Sequence, residues 1–158
     1  YRREIGNHGR DTRGIYRVHE FMKIEQVVLC KNDMKESLEW LEKLSSYSEE
    51  MLQELELPYR KMRMCTGDMG EPQIKKYDIE TWMPGRNGYG ETMSDSVMGE
   101  FQSRRANIRY KTKKGKEMIV GGAKILVAIL ENYQQKDGSI KVPKVLQGYL
   151  NKEVIKKK

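Results

Sequence analysis

Two cysteines in 158 residues, Cys30 and Cys65, have no cysteine or histidine neighbour at metal-ligand spacing. Neither a zinc site nor a disulfide framework is supported, and both read as small buried residues in a reducing compartment. No apolar run approaches the length of a membrane span, and no signal-peptide pattern follows Tyr1. With 34% charged and 37% hydrophobic residues, the chain reads as soluble and cytoplasmic, with no membrane partner. The glycine-rich phosphate loops of the P-loop and Rossmann patterns are also missing, so a bound nucleotide would be held by side chains on a sheet.

What is present fits one domain, long enough to bury something like two thirds of its unfolded surface. The net charge of +7 favours phosphate-bearing partners, although Lys and Arg read as spread along the chain. Only the terminal IKKK has the look of a basic tail, and it reads more simply as a solvated end.

The stretch Arg13 to Gln26 organises the rest. If Ile15 to Cys30 is extended, Tyr16, Val18, Met22 and Ile24 form a mostly apolar face, while Arg17, His19, Phe21, Lys23 and Glu25 form the other. That second face sets a cation, an aromatic plate and a carboxylate in line, with Arg17, Phe21 and Glu25 roughly 13 Å apart in succession. Such a row fits a nucleotide; it fits a solvated strand face equally well. Before it, Tyr1 to Ile5 reads as a strand joined through a basic loop, which makes a hairpin.

Downstream, Asp33 and Glu36 form a capping box for a helix whose leucines recur until Pro58 stops the pattern. Strands are expected over Tyr59 to Thr66, Lys75 to Met83 and Tyr89 to Ser96, with a turn at Gly67 to Gly70. A short helix follows over Phe101 to Ile108, then strands over Arg109 to Thr112 and Glu117 to Val120. Gly121 and Gly122 lead into an apolar helix with Lys124 in its first turn, where a cation opposes the helix dipole. The tail ends in a short helix or coil. The sum is an α+β fold of antiparallel strands flanked by helices.

The runs YRREIGNHGRDTRGIYRVHEFMKIEQ, PYRKMRMCTGDMG, KKYDIETWMPG, EFQSRRANIRY and ILVAILENYQQKDGSIKVPKVLQGYL resemble the catalytic domain of the seryl-tRNA synthetases, a family of class II aminoacyl-tRNA synthetases. The resemblance covers essentially the whole chain and implies an antiparallel sheet flanked by helices. It implies ATP and Mg2+ as cofactors, and serine and the acceptor end of tRNA(Ser) as partners. By resemblance, Arg2 contacts the α-phosphate and the serine carboxylate, with Glu4 near adenine. Arg17 meets the γ-phosphate, Phe21 stacks on adenine and Glu25 holds serine. Glu91 and Ser94 lie against ATP and its magnesium, and Lys124 falls where the family has the arginine of motif 3. The implied chemistry is in-line attack of the serine carboxylate on the α-phosphate, which needs positioning and charge neutralisation rather than a Ser-His-Asp triad.

The chain departs from the family in three ways. It starts inside motif 2, so residues 1–158 read as a single truncated catalytic domain without the N-terminal coiled coil or motif 1, which leaves the family's homodimer in question. Gly121, Gly122 and Ala123 stand where the family carries an HTLNGS-type strand, as though a strand had been removed and bridged. Lys124 keeps the charge of the motif 3 arginine without its planar fork.

Overall fold

A computed structural model describes residues 16, 21, 23–115, 117–125 and 140–156. The expected strand at Tyr1 to Ile5 and most of the stretch from Arg13 to Met22 lie outside them. Strand β1 spans Gln26–Lys31, β2 Tyr59–Arg63, β3 Lys75–Met83, β4 Gly88–Val97, β5 Arg109–Lys111 and β6 Glu117–Ile125. They form one antiparallel sheet in the order β1-β6-β4-β3-β2, with β5 paired to β6. A small ladder of β7 (Ile140–Lys141) and β8 (Val154–Ile155) stands apart, around helix α3 (Lys144–Leu150). Short 3-10 turns at Thr66–Asp68 and Pro84–Arg86 and helix α2 (Phe101–Ala106) complete the order.

Helix α1 runs from Met34 to Glu54. The Asp33 carboxylate accepts from the Glu36 N–H at 2.9 Å, which satisfies one of the free donors of the first turn. At the other end Glu56 turns left-handed and Pro58 starts the passage into β2. The leucine stripe lies on the sheet. Leu44, Leu52, Leu55 and Leu57 close over Ile79 of β3 and Met93 of β4 to make the core. Polar contacts fix the edge of this layer: the Lys75 ammonium and the Tyr77 hydroxyl both donate to Glu42, at 2.6 and 2.8 Å, and Lys61 pairs with Glu49 at 2.9 Å. Within the layer sits a carboxyl. Asp95 is 0% exposed, and among the described residues neither of its oxygens has a partner in full hydrogen-bond geometry, the Ser45 hydroxyl being its polar neighbour.

β6 corrects two expectations. The segment through Gly121 and Gly122 does not enter a helix; it continues as strand to Ile125, pairing residues 120–125 with β1 and Lys124 and Ala123 with Ser96 and Val97 of β4. Backbone groups that a helix would satisfy internally are satisfied here by two neighbouring strands, and that tertiary pairing overrides local propensity. A strand therefore fills the place where one was expected to have been removed. Gly121 has a packing reason: a Cβ there would meet the Lys31 carbonyl at 3.1 Å and the Ser37 hydroxyl at 3.2 Å. Lys124 accordingly stands in a strand and not in the first turn of a helix. Of the strand expected from Ile15, the described part starts at Gln26; Phe21 and residues 23–25 are not in a strand and Tyr16 is in a bend.

Candidate active site

Strand β4 is not regular. Its register with β3 pairs Ile79 with Met93 but Glu80 with Glu91, so Thr92 is an extra residue, a β-bulge. The Thr92 side chain is buried, and its hydroxyl donates to the Ile79 carbonyl at 3.3 Å. The consequence is geometric. Residues three apart in a regular strand point to opposite faces, but across this bulge Glu91 and Ser94 share one face, opposite Glu80 and Asp78.

That face lies on the other side of the sheet from α1. It carries Lys76, Asp78, Glu80 and Trp82 from β3, against Ser96, Ser94, Glu91 and Tyr89 from β4. Two of its carboxylates are neutralised: Asp78 pairs with Lys76 at 2.9 Å, and Glu80 pairs with Arg60 of β2. Arg60 also lies 4.7 Å from the Tyr89 ring centroid, and Tyr89 meets Trp82 edge-on at 5.3 Å. Glu91 differs from its two neighbours. Partial burial and the nearby Asp78 carboxyl hold its pKa above the usual carboxylate range, Glu80 adding to this and Lys76 opposing it. A carboxylate raised by like charges favours a cationic ligand or a cation-bearing anion.

The stretch leading to β1 reaches this face. The Tyr16 hydroxyl donates to the Glu91 carbonyl at 3.2 Å, and Arg86 stacks on the Tyr16 ring at 4.6 Å. Tyr16 thus packs on β4, although its alternation placed it on a general core face. Phe21 is 61% exposed, an aromatic plate that the core does not use, and Glu25 pairs with Lys23. Lys124 stands in backbone register with Ser96 and with Val27, which brings its position within two residues of Ser94 along the face. Arg2, Glu4 and Arg17 lie outside the described residues. The sequence reading missed Asp78, Glu80 and Arg86; the alternation KKYDIE, which sets Lys76, Asp78 and Glu80 on one side, was the available signal.

The profile of the tRNA synthetase class II core domain (G, H, P, S and T) matches residues 1–133. A serine--tRNA ligase of Deinococcus radiodurans is 49% identical over 158 residues, covering 95% of this chain and 37% of that protein. The crystal structure of seryl-tRNA synthetase from Pyrococcus horikoshii complexed with ATP superposes with a TM-score of 0.83 at 44% identity, covering 93% of this chain and 34% of that one. The cytoplasmic serine-tRNA ligase from Naegleria fowleri in complex with AMP gives a TM-score of 0.81 at 34% identity, covering 94% of this chain and 37% of that one. The chain thus spans little more than a third of the length of these relatives.

Proposed function

The chain belongs to the class II tRNA synthetase core-domain family, and from that premise we propose that it carries the chemistry of serine activation: condensation of serine with ATP to seryl-adenylate, then transfer of the seryl group to the acceptor end of tRNA(Ser). The observation that carries the reading is the bulge at Thr92, which sets Glu91 and Ser94 side by side on the face opposite the core. Arg2 grips the α-phosphate and the serine carboxylate, Arg17 the γ-phosphate, and Phe21 offers its exposed ring to adenine, with Glu4 beside it. Glu25 holds the serine amine; Lys23, its present partner, competes for that carboxylate. Lys124 supplies the motif 3 charge as a point cation rather than a fork. The setting is the cytoplasm, and the described residues include no helix long and apolar enough to cross a membrane.

Magnesium fits the donors on the face. Among the described residues no three His, Cys, Asp or Glu side chains enclose a metal ion. Mg2+ asks for less, one or two oxygen ligands from protein with phosphates and water completing the shell, and Glu91 and Ser94 would supply those. When bound, it would neutralise phosphate charge. The protein's own part is positioning. Forked arginines hold the phosphate in line with the serine carboxylate, and each charge-assisted hydrogen bond contributes about 1.5–3 kcal/mol.

Serine-dependent exchange of pyrophosphate into ATP tests this. Exchange above an Arg2→Ala control is expected, with the variant slower by at least about tenfold, the kinetic equivalent of one such hydrogen bond. Equal rates would remove the proposal. A second reading, a nucleotide- or RNA-binding module without catalysis, draws on Lys124, whose ammonium has no fork to hold phosphate bidentately. It expects ATP binding by calorimetry that ignores serine.

A further inference from the structure

Between Phe101 and Lys116 the chain has seven Lys and Arg residues and no Asp or Glu, against a net charge of +7 for the whole protein. The other residues therefore balance. Cations are found elsewhere too, six Lys against one Glu over residues 141–158, but no other stretch of this length has as many without an acid.

The structure makes an arm of it. Helix α2 exposes Arg104 and Arg105. Asn107, left-handed at φ 52°, caps the helix and reverses the chain into β5, where Arg109 and Lys111 share an exposed face and Tyr110 turns inward, half-buried. A turn closed by the Gly115 N–H on the Thr112 carbonyl at 2.9 Å holds Lys113 and Lys114 at its tip, both exposed. β6 then carries the arm back into the sheet beside β4.

Several surface cations elsewhere pair with acids, as in Lys61 with Glu49, Lys75 with Glu42 and Arg60 with Glu80. From Phe101 to Lys116 the chain has no acid of its own to offer. Arg104 meets Glu100 at the base of α2; Arg105 caps the Phe101 ring, and Arg109 donates to the Asn107 side chain at 2.7 Å. Lys111, Lys113 and Lys114 have no partner among the described residues. Crowded like charges repel in the free protein, and a polyanion with regularly spaced charges relieves that repulsion. The exposed side chains are cations with almost no apolar surface to insert into a bilayer; only Ile108 is partly exposed.

We propose that the α2–β5–β6 arm is an RNA-backbone clamp outside the nucleotide face, gripping phosphates of the tRNA whose acceptor end reaches β4. The identity of the RNA rests on the function proposed above; the clamp itself rests on charge and geometry. It reads no bases, because lysines and arginines on an exposed strand and turn meet phosphates first.

The test is fluorescence anisotropy of labelled tRNA(Ser) with the protein and with the triple variant Arg109→Gln, Lys111→Gln, Lys113→Gln, from about 50 to about 200 mM salt. The variant should bind at least about tenfold more weakly at the low end, and its plot of log K against log salt should be shallower by about 2. Arg109→Lys, Lys111→Arg, Lys113→Arg should restore both, and serine-dependent exchange should not change in either variant. Unchanged affinity and slope in a variant that melts like the parent would overturn the clamp. So would loss of binding to phosphatidylserine vesicles with tRNA binding intact. Failure of exchange in the parent, with the tRNA result as expected, would sink the proposed activity and leave the clamp standing.

Discussion

Asp95 is the residue on which folding and ionisation most directly oppose each other. Burial pushes its pKa up to about 6; the Ser45 hydroxyl and the Lys61 ammonium pull it down, and Asp78 and Glu49 push it up. Its ordinary value is 3.8, so the folded protein disfavours the charged form. Stability from this group is therefore whole below about pH 4 and is lost as pH rises through about 6, a change of about 3 kcal/mol. Asp95→Asn should raise stability at pH 7 by up to that amount and flatten the dependence between pH 4 and 6 in urea unfolding. A variant with an unchanged pH profile would place the effect elsewhere. No residue-level signal announced this. The segment ETMSDSV reads as polar alternation, and only the bulge and α1 together put Asp95 inside and Glu91 outside.

At the scale of elements, the bulge lets Glu91 and Ser94, three residues apart, share one face. Deleting Thr92 restores regular pairing and keeps Glu91 opposite Glu80, now two residues from Ser94 and still on its face. Affinity for ATP by calorimetry should therefore survive the deletion, while Glu91→Gln lowers it by about 10- to 150-fold, the worth of one charge-assisted hydrogen bond. Equal losses in the two variants would tie the effect to the bulge itself and not to the shared face. Elements whose own chemistry sets their limits were legible: α1 between the Asp33 cap and Pro58, and β3 between Lys75 and Met83, ended by Pro84. β6 was not. Its GGAKI has weak preference for either state, and the decision comes from β1 and β4, strands far away in sequence. The exposed ring of Phe21 and the shared face of Glu91 and Ser94 bear on the same lesson: resemblance named the residues, but the face came from a bulge that alternation cannot announce.

For the molecule as a whole, the layers divide the labour. One face of the sheet is covered by α1 and holds the apolar core; the other carries the polar row, with Glu91 exposed and Asp78 and Ser96 buried in it, and the densest run of cations stands on the α2–β5–β6 arm. β6 joins these parts, since it pairs with β1, β4 and β5. Its position has a consequence for the order in which the sheet is assembled. β1 leaves the ribosome before every other described strand, yet its described partner β6 ends at Ile125, so about a hundred residues must follow before the pair can close. The β3–β4 hairpin, whose strands are joined by four residues, has no such wait. Pulsed hydrogen exchange during refolding should protect β3 and β4 amides ahead of those of β1, and simultaneous protection would contradict this. Among the described strands the earliest made is thus the last to be seated, and this part of the sheet closes from its β2 edge back toward β1.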